Sequence, residues 1–259
     1  RFVLPRYWVD AREVEARIGS TPYMLGFRDI TNTTNERTAI FGFAPRVAVG
    51  HKLPILVLNR LLGQFLPVLL SDEKTGLKIE TALVANLCSF VLDFGARQKV
   101  GGTSFGFFIV KQLPVLPPKA FYGAPSLIDF ITPRVLELTY TAWDLQPFAR
   151  DVGYDGPPFV WDEERRFLMR CELDALYFHL YGIARDDVDY IMETFPIVKR
   201  KDIAAHGEYR TKRTILEMYD QMAPLFSPRP LGEGPGVRAY QTWLTPPPAD
   251  PRVAHPPRQ

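Results

Sequence analysis

Hydrophobic and polar positions divide the chain into a front part of short alternating runs and a rear part of helical periodicity. Asp10 ahead of the stretch through Ile18 predicts a short capped helix, stopped by Gly19-Ser20-Thr21-Pro22. YMLGFRDI and TAIFGFAP read as strands around the turn Thr31-Asn32-Thr33-Thr34-Asn35, which is dense in short hydrogen-bonding side chains. From Lys78 the period lengthens. Ile79, Leu83, Leu87, Val91 and Gly95 recur at helical spacing, with Ala82, Cys88 and Leu92 widening the stripe, so a core helix is predicted. It runs into Arg97-Gln98-Lys99 and breaks at Gly101-Gly102. SFGFFIV then reads as a strand, and QLPVLPP closes the segment with proline-fixed extended backbone.

Farther on, Asp162 precedes a helix whose Leu168, Cys171, Ala175 and Phe178 form one broad face, ended by Gly182. Asp186 reads as the cap of a short helix, with Asp189 imitating a capping box. Pro196 reads as an interruption, and a last helix is expected from about Glu208 to Met222. The tail from Ala223 holds 10 of the 24 prolines and no periodic apolar pattern, so it is expected to be disordered, or at most extended against the rest. The predicted fold class is α+β. Residues 1–122 form a mixed-sheet domain with a core helix, 123–222 an α-helical region, and 223–259 a Pro-rich tail.

Composition narrows the class. At 259 residues, 46% hydrophobic and 23% charged, the chain supports one large or two modest cores. The apolar run Leu53 to Leu70 contains Asn59, Arg60 and Gln64, which favours a buried soluble segment over a membrane span. Cys88 and Cys171 sit among apolar neighbours and fit packing in a reducing cytoplasm. An opening Arg1 inside domain-like sequence suggests the C-terminal piece of a longer protein.

The net charge of +2 conceals +6 over residues 1–122 and −6 over 123–222. No acidic residue occurs between Glu36 and Asp72, or between Asp93 and Asp129, while Arg37, Arg46, Lys52, Arg97, Lys99 and Lys111 fall in those gaps. Two such stretches in one domain suit a polyanion partner, and ordinary fluctuation is the competing reading. Lys199, Arg200, Lys201, Arg210, Lys212 and Arg213 form a second basic cluster, by default a solvated face.

Catalytic motifs fail on inspection. Asp155-Gly156-Pro157-Pro158-Phe159 has glycine where a base-holding loop needs an amide or carboxylate, and reads as a turn. Gly232-Glu233-Gly234-Pro235-Gly236 has neither the preceding strand nor the following helix of a cofactor loop. Asp186, Asp187 and Asp189 lack the glycine and distal glutamate of a calcium loop, and the four histidines show no metal spacing. What stands out is the turn carrying Arg28, Asn32, Asn35 and Arg37, and the loop Arg97, Gln98, Lys99, Gly101, Gly102, Thr103 and Ser104, with Lys111 beyond it. Asn, Gln and Arg make bidentate contacts to base edges, and glycines let backbone approach phosphate. Two inert solvent-exposed loops are the plain alternative.

RDITNTTNERTAIFGFAPRVAVGHKLPIL followed by LVANLCSFVLDFGARQKVGGTSFGFFIVKQLPVLPP resembles the target-recognition domain of large restriction–modification adenine methyltransferases, including fused type II enzymes and those of BREX- and DISARM-type phage defence. The second segment is also similar, more distantly, to type I specificity subunits. WDEERRFLMRCELDALYFHLYGIARDDVDYIMETFPIVKRKDIAAHGEYRTKRTILEMYD resembles the helical C-terminal extension of the same proteins. The resemblance covers roughly residues 20–222. It implies double-stranded DNA as partner, with the Arg28–Arg37 turn and the Arg97–Ser104 loop facing it. It also implies a catalytic methyltransferase domain upstream that binds S-adenosylmethionine, and contact with other defence-system subunits. No catalytic or cofactor residue transfers to this chain. Two rival readings are a protein-interaction module docked through the acidic helical region, and a nuclease built on Glu163, Glu164, Glu172 and Asp174.

Overall fold

The computed structural model describes residues 7–57, 73–121, 124–226 and 240–257. Helix α1 (Ala11–Ile18) begins where Asp10 accepts the Arg12 amide hydrogen, and it ends at Gly19, whose φ of 81° suits a residue without Cβ. Strand β1 (Tyr23–Phe27) is buried along its whole length, because it lies between β2 (Phe41–Pro45) and β3 (Ile55–Leu56). Gly26 lets Leu53 and Ile55 pack closely on β1, since a Cβ would stand 3.1 Å from Ile55 Cδ1. Both pairings are antiparallel, so the α+β class holds while the expected mixed sheet is an antiparallel one among the described residues.

The apolar stripe beginning at Ile79 is two helices, α2 (Glu73–Leu87) and α3 (Phe90–Arg97). Ser89 makes the break. Its hydroxyl donates to the Asn86 carbonyl at 2.7 Å and accepts the Leu92 amide at 3.4 Å, starting a new helix instead of continuing the old one. SFGFFIV is not a strand. Only Ser104 pairs, in a single bridge with Ile30, Phe105 turns fully into the core, and Phe107–Val110 is a one-turn helix α4 capped by Gly106.

The rear half contains α5 (Pro125–Thr139), α6 (Gln146–Asp151), α7 (Glu163–Leu180), α8 (Arg185–Glu193), α9 (Pro196–His206) and α10 (Arg210–Phe226). Asp162 caps α7 as expected, accepting the Arg165 amide at 2.9 Å. Asp186 does not cap α8. Ala184 holds that position, and Asp186 and Asp187 lie in the first turn, where carboxylates complement the helix dipole. Pro196 starts α9 rather than interrupting, since a first-turn proline loses no hydrogen bond.

One core joins the two halves. Tyr23, Ile79 and Phe90 belong to the same buried cluster as Leu127, Phe178 and Met222, and α2 packs on α5. Polar ties reinforce it: Tyr177 donates to the Ala82 carbonyl at 2.6 Å, and the Phe90 amide to Asp174 at 2.6 Å. Residue 122 thus separates chain segments that share one interior. A smaller cluster of Leu25, Phe27, Phe41, Leu92 and Phe105 sits between the sheet, α3 and the approach to α4.

The tail is corrected in part. Residues 240–257 are seated, with Leu244 buried, and Ala254 bridged to Phe159. Glu172 anchors this segment. Its Oε1 accepts from the Thr242 hydroxyl at 2.7 Å and the Trp243 amide at 3.1 Å, while Oε2 takes the buried Arg134 Nε at 2.7 Å. Arg165 and Glu137 hold Pro246 and Ala249. The glycine-rich Gly232–Gly236 stretch and Asn59, Arg60 and Gln64 lie outside the described residues.

Candidate nucleic-acid interface

The polar turn and the glycine loop come together. The Thr31 amide donates to the Thr103 carbonyl at 3.1 Å, and the Phe105 amide to the Asp29 carbonyl at 2.7 Å. Asp29 is the joint. Its Oδ1 accepts the Ser104 hydroxyl at 2.6 Å and its Oδ2 the Lys52 ammonium at 3.0 Å. These partners, the Ser104 hydroxyl first and then Lys52, hold the Asp29 carboxyl below its ordinary range. The Asp29 amide also bonds the Lys52 carbonyl at 3.1 Å, so a third segment borders the site.

Inside the turn, Asn32 Oδ1 accepts the Thr34 amide at 2.9 Å and its hydroxyl at 2.6 Å. Asn35 donates to the Thr31 hydroxyl at 3.2 Å. Both amides are half-buried and stitch the turn shut. The Asn32 oxygen is occupied, so its role shifts from base reading toward holding the loop's shape.

Arg37 and Arg97 leave the DNA-facing set. Asp93, fully buried on α3, receives Arg37 Nε at 2.8 Å and lies 3.6 Å from Arg97 Nε. It also accepts the amides of Thr38 and Ala39. Arg37 further donates to the Cys88 carbonyl and covers the Phe90 ring. Arg97, only 7% exposed, donates to the Asn35 carbonyl at 2.8 Å, the Glu36 carbonyl at 3.0 Å and the Thr194 carbonyl at 3.3 Å, above the Phe195 ring. Desolvation requires such partners for a buried guanidinium. The two arginines therefore clamp the turn onto α3 and the start of α9.

The exposed members are Arg28, Gln98, Lys99, Gly101, Gly102, Thr103, Ser104 and Lys111. Gly101 and Gly102 show no left-handed φ, and a Cβ on either would meet nothing within 4 Å. They leave open space above the backbone rather than relieving strain. Lys52 and Phe108 also belong to this neighbourhood; Phe108 is 80% exposed on α4, whose Phe107 packs edge-on against Phe27 at 5.2 Å. Lys52 was visible as a cation in an acid-free stretch, whereas an exposed Phe108 could not be told from a core residue in an apolar run.

The nuclease carboxylates have structural posts. Glu172 is fully engaged with Arg134 and the tail, Asp174 with the Phe90 amide, Glu164 with Arg210, and Glu163 with the Trp161 indole. Among the described residues no three His, Cys, Asp or Glu side chains converge to hold a metal ion. No family model, curated protein or solved structure matches this chain.

Proposed function

We propose that this chain is the sequence-recognition portion of an adenine-specific DNA methyltransferase of a restriction–modification or phage-defence system. The reading rests on one observation: segments 28–37 and 97–104, separated by 59 residues of chain, are hydrogen-bonded neighbours that carry Arg28, Gln98, Lys99 and Thr103 in exposed positions. Lys52, Lys99, Lys111 and Arg28 supply phosphate contacts that set register, and Gln98 and Thr103 offer groups to base edges. Adenine extrusion, S-adenosylmethionine and methyl transfer belong to a catalytic domain outside residues 1–259.

The affinity of duplex DNA as a function of salt tests this. Each phosphate contact contributes about one unit to the slope of log affinity against log salt. Lys99→Ala is expected to lower the slope by about one and to weaken all sequences alike. A wild-type protein that ignores duplex DNA, or a Lys99→Ala slope equal to wild type, would contradict the assignment.

A further inference from the structure

Among the described residues the sheet also has an open edge. With the order β2-β1-β3, strand β2 is an edge. The Arg28 amide donates to the Ile40 carbonyl and the Arg46 amide to the Pro22 carbonyl, so the even-numbered residues of β2 hold the ladder to β1. Alternation in an antiparallel pair then turns the amide groups of the odd-numbered residues outward. Two of these are used, since Ala39 donates to Asp93 and the Phe41 carbonyl accepts the Cys88 thiol at 3.3 Å. Among the described residues, the Phe41 N–H and the N–H and C=O of Phe43 are left facing the edge.

That edge opens onto a cleft of about 760 Å³. Ala39, Ile40, Phe41, Gly42 and Phe43 line it without a gap. Successive strand residues point to opposite faces, so an unbroken run borders a cleft along the strand's edge and not on one face. Across the cleft stand Arg166 and Arg170, four residues apart on α7. Neither side chain makes an ion pair or hydrogen bond among the described residues, and the Arg166 Nε is buried without an acceptor. Arg166 rests on the Trp161 ring at 3.6 Å. Burial first, then the charge of Arg170, hold its guanidinium below the ordinary range. Like charges at this spacing repel. Of the carboxylates on the walls, Glu36 is taken by Lys201 and Asp174 by the Phe90 amide, leaving Asp144.

The geometry points to a docking groove for an extended, carboxylate-bearing segment of a partner protein, added beside β2 as a further strand with its acidic side chains on Arg166 and Arg170. Main-chain hydrogen bonds to the edge would supply affinity, and the paired guanidinium groups would select charge. This inference does not depend on DNA binding, because neither Arg166 nor Arg170 belongs to the proposed DNA face.

Fluorescence anisotropy on the full chain tests it with a labelled acetyl-Glu-Val-Glu-Val-Glu-Val peptide, its lysine counterpart, and two forms N-methylated at alternate amides. The glutamate peptide is expected to bind saturably and the lysine peptide at least about tenfold more weakly, the scale of one charge-assisted hydrogen bond. One N-methylated form should lose at least about tenfold while the other keeps its affinity, since only alternate amides face β2. Arg170→Glu, at an exposed position tolerant of change, should reverse the charge preference. Equal binding of both N-methylated forms, equal binding of the lysine peptide, an unchanged preference in Arg170→Glu, or no saturable binding would each overturn the groove. Saturable binding of deoxyadenosine monophosphate that displaces the peptide would overturn it in favour of a nucleotide site.

Discussion

Neighbouring cations in one loop perform opposite tasks. Arg97 is buried under three carbonyl oxygens and beside Asp93, whereas Lys99, two residues later, is exposed. Arg97→Ala is expected to cost about 3 kcal/mol in urea unfolding, the scale of breaking a buried charge pair, while leaving the salt slope of any DNA binding unchanged. Lys99→Ala should do the reverse. Glu80 gives a second prediction at this scale. Burial, then the Asp151 carboxylate, push its carboxyl up to about 7. The unfolded chain releases that proton near pH 4.5, so stability falls as pH rises from about 4.5 to 7 and levels off above. Glu80→Gln should flatten this fall and gain up to about 3 kcal/mol at pH 8 relative to wild type. Unfolding curves at pH 4.5, 6 and 8 will show whether the two proteins converge at the acidic end. The i,i+4 spacing of Asp93 and Arg97 stands in the sequence, yet the sequence reading places Arg97 on the DNA-facing loop, and it is the fold that turns this arginine inward. Arg37, 56 residues from Asp93, was not foretold, because only the fold brings them together.

At the scale of elements, the tail is tied down by a charge rather than by a secondary structure. Glu172 holds Arg134 on one oxygen and residues 242 and 243 on the other. Glu172→Gln is expected to lose about 3–5 kcal/mol, because Arg134 keeps a buried charge with no counterion. Hydrogen exchange at residues 242–254 should accelerate more than in α2. Unchanged exchange there would show that Leu244 and the Phe159–Ala254 bridge suffice. Local signals made α1, β1, β2 and α7 legible, through capping aspartates, a stop glycine and alternating or helical stripes. Three elements were not legible, for physical reasons. Phe107–Val110 is a short apolar run, which fits strand and helix equally, and Gly106 decided it. The α2–α3 break keeps one hydrophobic period on both sides of Ser89. The anchor of the tail, Glu172, lies 70 and 71 residues from Thr242 and Trp243, beyond the reach of any local pattern.

For the molecule as a whole, a single interior fixes where the proposed recognition face sits. Arg97 ties the turn at Asn35 and Glu36 to Thr194 at the end of α8, and Lys201 on α9 pairs with Glu36, so the helical half buttresses the loops rather than trailing behind them. The candidate face was legible as two basic, amide-rich segments, but their adjacency was not. It follows from Asp29, whose neighbours arrive from residues 52 and 104. The central claim is that this joined surface meets duplex DNA. Amide hydrogen exchange of the intact chain with and without duplex DNA at low salt tests it most directly. The account predicts slowed exchange at residues 28–35 and 98–104 and no change around Arg166 and Arg170. Protection confined to other surfaces, with these two segments unaffected at saturating DNA, would contradict it.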